Sequence, residues 1–132
     1  TVGVVGNEDA QALPTIEVVA KNEFYDYESK YAPGGSEHII PARIGDSLNE
    51  TCMQMAVGAH LALGCRGLSR SDFIVDGEGA VWILETNTIP GMTSTSLVPD
   101  MARARGVDFP ALCEWIVALS LQEAGADTRS AS

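Results

Sequence analysis

Asp72, Glu85 and Asn87 are the residues of this sequence best suited to hold a cation. Two apolar segments, Gly67 to Val75 and Ala80 to Asn87, flank Asp76-Gly77-Glu78-Gly79, a turn of the kind that closes a β-hairpin. Alternation along a strand puts Glu85 and Asn87 on one face. Folding back at Gly77-Glu78 brings Asp72 to the level of Glu85, to within one residue of register. Two carboxylates at that separation repel unless one is protonated or a cation bridges them. An all-oxygen donor set of this charge suits Mg²⁺, which binds through one or two carboxylates and fills its other positions with phosphate oxygens and water. The flanking Phe73, Val75, Trp82 and Leu84 are apolar, an unusual setting for solvated acids. The plainer alternative is two solvated carboxylates on the open face of an antiparallel sheet, and a Glu-x-Asn on a strand does not by itself decide between them.

Arg70, two residues before Asp72, shares its face. A guanidinium there can neutralise a phosphate or an oxyanion, or simply pair with Asp72 or Glu85. Downstream, Pro90-Gly91-Met92 forms a turn in which Gly91 lets the backbone approach a ligand oxygen closely. The hydroxyls of Thr93, Ser94, Thr95 and Ser96 follow, immediately before a helical stretch. Helix N-termini favour anions, a substrate carboxylate included; the competing use of Ser94 or Ser96 is ordinary N-capping. Lys30 and Tyr31 lie in a long aperiodic segment, 26–37, where a lysine could close over phosphates and a tyrosine could cover a small substrate. His38 receives no role, and His60, inside a helical stretch, is expected to be a side chain satisfied by neighbours.

The elements that must position these groups follow from the pattern. Residues 1–6 and 13–20 predict two strands separated by the polar turn Asn7-Glu8-Asp9-Ala10, with Pro14 at the entry of the second. A short strand is predicted at 38–40, stopped by Pro41. Asp46 or Ser47 is the expected N-cap, Ser47 with Glu50 forming a capping-box pattern, ahead of an apolar stripe that runs from Leu48 to Leu63 and ends at Gly64. The hairpin comes next, then helices over 96–105 and 109–123, and a small, polar tail from 124 to 132. The order predicts an α+β fold with a largely antiparallel sheet and flanking helices. No repeat or linker divides it, so residues 1–123 are expected to form one unit.

Of the 132 residues, 18 are acidic and 8 basic, for a net charge of −10. That balance argues against a nucleic-acid partner and against a polybasic membrane anchor. No apolar run is long enough to span a bilayer. Cys52, Cys65 and Cys113 are odd in number and widely spaced, which suits free thiols in a reducing compartment better than a disulfide or zinc framework. The chain opens in what reads as a strand already in progress and has no initiator Met, so it is expected to be a piece of a longer protein.

Four stretches together resemble one family. They are Phe24-Tyr25-Asp26-Tyr27-Glu28-Ser29-Lys30-Tyr31, Ile40-Pro41-Ala42, Leu63-Gly64-Cys65-Arg66-Gly67-Leu68-Ser69-Arg70-Ser71-Asp72-Phe73, and Leu84 through Leu97 with its Glu-x-Asn-Thr-x-Pro-Gly-Met-Thr-x-x-Ser-Leu pattern. The sequence is similar to the C-terminal part of D-alanine–D-alanine ligases, members of the ATP-grasp superfamily, over nearly its whole length to about residue 123.

The resemblance implies an ATP-dependent ligation for peptidoglycan precursor synthesis. A first D-alanine is phosphorylated on its carboxylate, a second attacks through its amine, and the tetrahedral intermediate collapses to D-alanyl-D-alanine, ADP and phosphate. It implies Asp72, Glu85 and Asn87 as Mg²⁺ ligands, for two ions, with Mn²⁺ able to substitute. Arg70 and the Gly91 N–H are implied as oxyanion stabilisers, and Ser96 and Leu97 as holders of the second substrate's carboxylate. Lys30 is implied as a phosphate contact, Tyr31 as a neighbour of the second D-alanine, and Phe24, Ile74 and Leu84 as nucleotide contacts. The Lys30-Tyr31 pair fits the dipeptide-forming type rather than the D-alanyl-D-lactate type. A cytoplasmic, homodimeric full-length enzyme is implied, with N-terminal and central regions that supply further phosphate and first-substrate contacts, so this piece alone is expected to turn over little or nothing. The alternatives are another ATP-grasp carboxylate ligase, such as a D-alanyl-D-lactate ligase, or a non-catalytic nucleotide-binding module.

Overall fold

Val2, Val4 and Val5 fall in a run that is buried at every position. β-Branched side chains with no polar interruption suit the centre of a sheet covered on both faces. A computed structural model of the chain, which describes residues 1–20 and 36–130, bears this out. The elements are β1 (Val2–Gly6), β2 (Gln11–Ala12), β3 (Glu17–Ala20), β4 (Ser36–Ile39), α1 (Asp46–Ala62), β5 (Gly67–Val75), β6 (Val81–Asn87), α2 (Leu97–Ala104) and α3 (Phe109–Ser130). Four strands form one sheet in the order β2-β1-β5-β6, and β3 and β4 form a second. Every pairing is antiparallel, so the α+β architecture read from the element order is the one observed.

The alternation of β1 sets the two cores. Val2 and Val4 meet Cys52 and Ala56 of α1 on one face. Val5 packs on the other with Val98, Met101 and Ala102 of α2 and Leu112 and Leu119 of α3. Each valine, leucine and methionine among them contributes about 1.5–3 kcal/mol on leaving water. β1 pairs with β5 as Val2↔Ser71 and Gly3↔Arg70. Paired residues share a face, so Ser71 turns towards α1 and Arg70 towards the α2 side.

His60, fully buried on α1, is satisfied by its neighbours as expected: Nδ1 lies 2.6 Å from Ser69 Oγ and Nε2 lies 2.9 Å from the Gly6 carbonyl. A carbonyl only accepts, so Nε2 carries the proton and Nδ1 accepts from the serine hydroxyl. His38 on β4 pairs with Asp100 on α2 at 2.6 Å.

Three local expectations need correction. The strand predicted over 13–20 is split. Leu13 and Ile16 still donate backbone bonds to Gly3 and Thr1 at 2.8 and 2.9 Å, but Pro14 offers no N–H between them, and the chain leaves for the second sheet at Glu17. Helix α1 begins at Asp46 with Gly45 as N-cap and no side-chain cap. The Ser47–Glu50 capping box is therefore not formed, because Ser47 already lies inside the first turn. Helix α3 runs on to Ser130, past residue 123. Phe24, Lys30 and Tyr31 lie outside the described residues.

Candidate functional site

The β5–β6 hairpin is closed by Asp76. Its Oδ1 accepts the N–H groups of Glu78 and Ala80, each at 2.9 Å, and its Oδ2 accepts the Trp82 indole N–H at 3.1 Å. The Trp82 bond first, then those from Ala80 and Glu78, hold the Asp76 carboxyl below its ordinary range. Beyond the turn the register runs Val75↔Val81, Ile74↔Trp82, Phe73↔Ile83. Continued unbroken, it would set Asp72 against Leu84 and turn Glu85 to the α1 face with Ser71. Instead a β-bulge between Asp72 and Phe73 absorbs Leu84, and the pairs become Asp72↔Glu85, Ser71↔Thr86 and Arg70↔Asn87. Ser71 Oγ and Thr86 Oγ1, 2.8 Å apart, hold that shifted register from the α1 side. The bulge thus gathers Arg70, Asp72, Glu85 and Asn87 on one face.

Directly opposed residues in an antiparallel pair have Cβ atoms about 4.5–5.5 Å apart, near enough for two carboxylates to share one cation. Arg70 donates to Asp72 from Nε to Oδ1 at 3.2 Å and from a terminal nitrogen to Oδ2 at 3.3 Å. The hydroxyl of Thr1 also donates to Asp72 Oδ1, at 3.2 Å; sequence reasoning gave Thr1 no part in the site. Asn87 Oδ1 accepts the Ile89 N–H at 3.0 Å, which fixes the amide oxygen at the start of the following loop and leaves it a second lone pair. Among the described residues no three His, Cys, Asp or Glu side chains converge on a metal-sized position. Two carboxylates and an amide oxygen, without a third acid or a histidine, are a poor zinc site and a fitting Mg²⁺ site, because Mg²⁺ keeps positions for phosphate and water.

The loop after β6 meets the start of α2. Ser96 is the N-cap residue of α2, yet its side chain makes no capping bond into the helix. Its Oγ accepts the Thr93 N–H at 2.9 Å and lies 2.7 Å from Thr93 Oγ1. The first-turn N–H groups of α2 are left without that side-chain partner, which favours an anion there over simple capping. Gly91 backs onto the same hydroxyl: a Cβ at this position would lie 2.9 Å from Ser96 Oγ. Leu97 packs its side chain against the core, so what it can offer a ligand is its backbone.

Ile74, Trp82 and Leu84 are all more than half exposed, an apolar shelf beside the acids on which a planar ring could lie. On the other side of the 88–92 loop an apolar cavity of about 540 Å³ runs to Cys113, Ile116 and Val117 of α3. The structure thus brings Arg70, Asp72, Glu85, Asn87, Ile74 and Leu84 to one hairpin face, and Gly91, Ser96 and Leu97 to one turn.

An antiparallel sheet with an acid-bearing hairpin, flanked by helices, is the arrangement found in the C-terminal part of the ATP-grasp fold. The model of the D-ala D-ala ligase C-terminus family matches residues 1–118, and the chain belongs to that family. It is 51% identical over 125 residues to the D-alanine–D-alanine ligase of Pelotomaculum thermopropionicum, covering 95% of this chain and 39% of that protein. The D-alanine–D-alanine ligase of Coxiella burnetii superposes with a TM-score of 0.80 at 25% identity, covering 97% of this chain and 33% of the other. That of Bacillus anthracis, solved in complex with ATP, gives 0.76 at 25% identity, covering 96% and 38%. The chain spans about two fifths of the length of the curated relatives it matches.

Proposed function

We propose that this chain is the metal- and acceptor-binding part of an ATP-dependent D-alanine–D-alanine ligase. The observation that carries the reading is the bulge-set pairing Asp72↔Glu85 beside Arg70↔Asn87: a register that places both acids, the amide and the guanidinium on one face. Asp72, Glu85 and Asn87 hold Mg²⁺, in two ions that Mn²⁺ can replace. The metal, when bound, supplies the positive charge that lets an anionic carboxylate approach the γ-phosphate of ATP.

The chain's own groups then divide the work. Asp72 and Glu85 would hold the cation to which the phosphates bind, and Arg70 with the Gly91 N–H stabilises the oxyanion that forms as an amine attacks the acyl phosphate. Ser96 and the first turn of α2 hold the carboxylate of the second D-alanine, orienting its amine. Ile74 and Leu84, with Phe24, line the nucleotide side. Lys30 reaches phosphate, and Tyr31 borders the second D-alanine and favours an amine acceptor over a hydroxy acid. The family's remaining parts complete the phosphate and first-substrate sites, so the 132-residue chain alone turns over little or nothing. The full-length enzyme is a homodimer that works in the cytoplasm, where ATP is available.

The test is phosphate release by the full-length protein with ATP, Mg²⁺ and D-alanine, with D-lactate as the competing acceptor. D-Alanyl-D-alanine formation is expected. A D-lactate product in its place would reassign the acceptor, and no ATP-dependent ligation at all would leave a binding module.

A further inference from the structure

We propose that Thr1 is a positioning residue for the carboxylate of Asp72, holding Oδ1 so that Oδ2 is presented to the cation; this rests on the reading of Asp72 as a metal ligand. The backbone of Thr1 is fixed by a reciprocal pair of hydrogen bonds with Ile16. Its nitrogen donates to the Ile16 carbonyl at 3.0 Å, and the Ile16 N–H donates back to the Thr1 carbonyl at 2.9 Å. Ile16 is itself only 1% exposed, so this reciprocal pair is anchored in the core.

The β1–β5 register, Val2↔Ser71, carried one residue further sets Thr1 across from Asp72 and on its face. A β-branched side chain on extended backbone is stiff at χ1, and the Thr1 hydroxyl lies 3.2 Å from Asp72 Oδ1. The carboxylate's own χ2 is a soft, two-fold torsion, so an external donor decides which oxygen faces outward.

Among the described residues two side chains donate to Asp72, and they differ in kind. Arg70 bonds both oxygens, at 3.2 and 3.3 Å, but through a long side chain that the proposed chemistry also draws towards an oxyanion. Among the described residues Thr1 donates its hydroxyl to Oδ1 alone. When the guanidinium turns to substrate, Thr1 is the donor left in place. Hydrogen bonds to metal-binding carboxylates of this sort orient the ligand and are commonly worth 10-fold or more in affinity.

The test uses the full-length protein with Mn²⁺·ADP as probe, its binding followed by water-proton relaxation, with no turnover required. Thr1→Val keeps shape and strand propensity and removes the hydroxyl; its Mn²⁺·ADP dissociation constant is expected to rise about tenfold, with the thermal midpoint of the metal-free protein unchanged. Thr1→Ser, which retains the donor, is expected to restore most of the affinity. Asp72→Asn is the reference arm. If Asp72→Asn weakens binding and Thr1→Val does not, the role of Thr1 is overturned while the metal site stands. If Asp72→Asn binds as the parent does, the metal reading fails and takes this one with it. Equal weakening in Thr1→Val and Thr1→Ser, together with a lowered midpoint, would make the contact merely structural and also overturn the proposal.

Discussion

Asp72 stands directly opposite Glu85 across β5 and β6 because Leu84 is taken up in a bulge. One extra residue on a strand exchanges its faces, and bulges recur where a side chain must be re-aimed at a site. Here the exchange moves Glu85 and Asn87 from the α1 face, where Ser71 and Phe73 point, to the face of Arg70 and Asp72. The arrangement has a cost. Like charges opposed across a strand pair destabilise it, a repulsion that Arg70, bonded to Asp72, reduces.

Stability and activity are therefore expected to move in opposite directions at Glu85. Glu85→Gln removes the repulsion and should stabilise the metal-free protein by about 0.2–1 kcal/mol, while lowering kcat/KM of the full-length enzyme at least about 100-fold. Asp72→Asn should lose activity similarly with a smaller gain in stability than Glu85→Gln, since it relieves the same repulsion but gives up the partly buried ion pair with Arg70. Urea unfolding without metal, run beside the phosphate-release assay, checks both. A Glu85→Gln variant that is less stable and still active would remove Glu85 from the metal site.

The hairpin was legible from its turn residues and apolar strands, and Asp72 near Glu85 followed from counting back from Gly77. The bulge was not legible: nothing about Leu84 marks it as the extra residue, because its apolar side chain suits either face. The start of α1 misled for a related reason. Ser47 and Glu50 satisfy a local pattern, but the chain reaches helical geometry at Asp46 after Gly45, whose φ of 86° a residue with a Cβ adopts at a cost. Pro14 reads as a strand entry, but that the chain changes sheets there depends on which strand it leaves, and that is tertiary information. The part of Thr1 is not legible for the same reason, since its partner lies 71 positions away. The Ser96-Leu97 turn is legible as an anion site or a cap, and the structure shows that Ser96 Oγ accepts from Thr93 and does not cap the helix.

Gly91 and Ser96 are expected to act as one unit. A Cβ at Gly91 would meet Ser96 Oγ at 2.9 Å, and that oxygen is already held by Thr93, so Gly91→Ala must displace it. Gly91→Ala and Ser96→Ala should each raise KM for the acceptor amino acid about tenfold or more. The double variant should be scarcely worse than either alone, because the second change removes the atom that the first displaces. Steady-state kinetics in D-alanine at saturating ATP measures the cycle, and full additivity would show that the two residues act separately.

His60 separates fold from chemistry. It is fully buried and joins α1 to β5 and the end of β1 through Ser69 and Gly6. His60→Ala opens a cavity and orphans the Gly6 carbonyl, at an expected loss of about 2–4 kcal/mol by urea unfolding. Below its own unfolding midpoint the variant should keep the parent's KM for ATP and for D-alanine. A changed KM with unchanged stability would mean that the His60 contacts reach the site.

Asp76 gives the hairpin a pH dependence whose sign is fixed. Its carboxyl is held below the ordinary range by the Trp82 indole N–H and by the N–H groups of Ala80 and Glu78. A group whose folded value is depressed binds fewer protons when folded, so its contribution is fully present above the unfolded value, about 3.9 for aspartate. It is lost as pH falls through the lower folded value. Asp76→Ala should therefore lower the thermal midpoint at pH 7, and the gap from the parent should close as pH is taken below about 4. Because Asp76 secures the turn from which the register is counted, the same variant should also weaken Mn²⁺·ADP binding at pH 7 without touching a ligand. Thermal melts across the acid range decide it: a gap that stays constant with pH would mean that the carboxylate's charge plays no part in closing the turn.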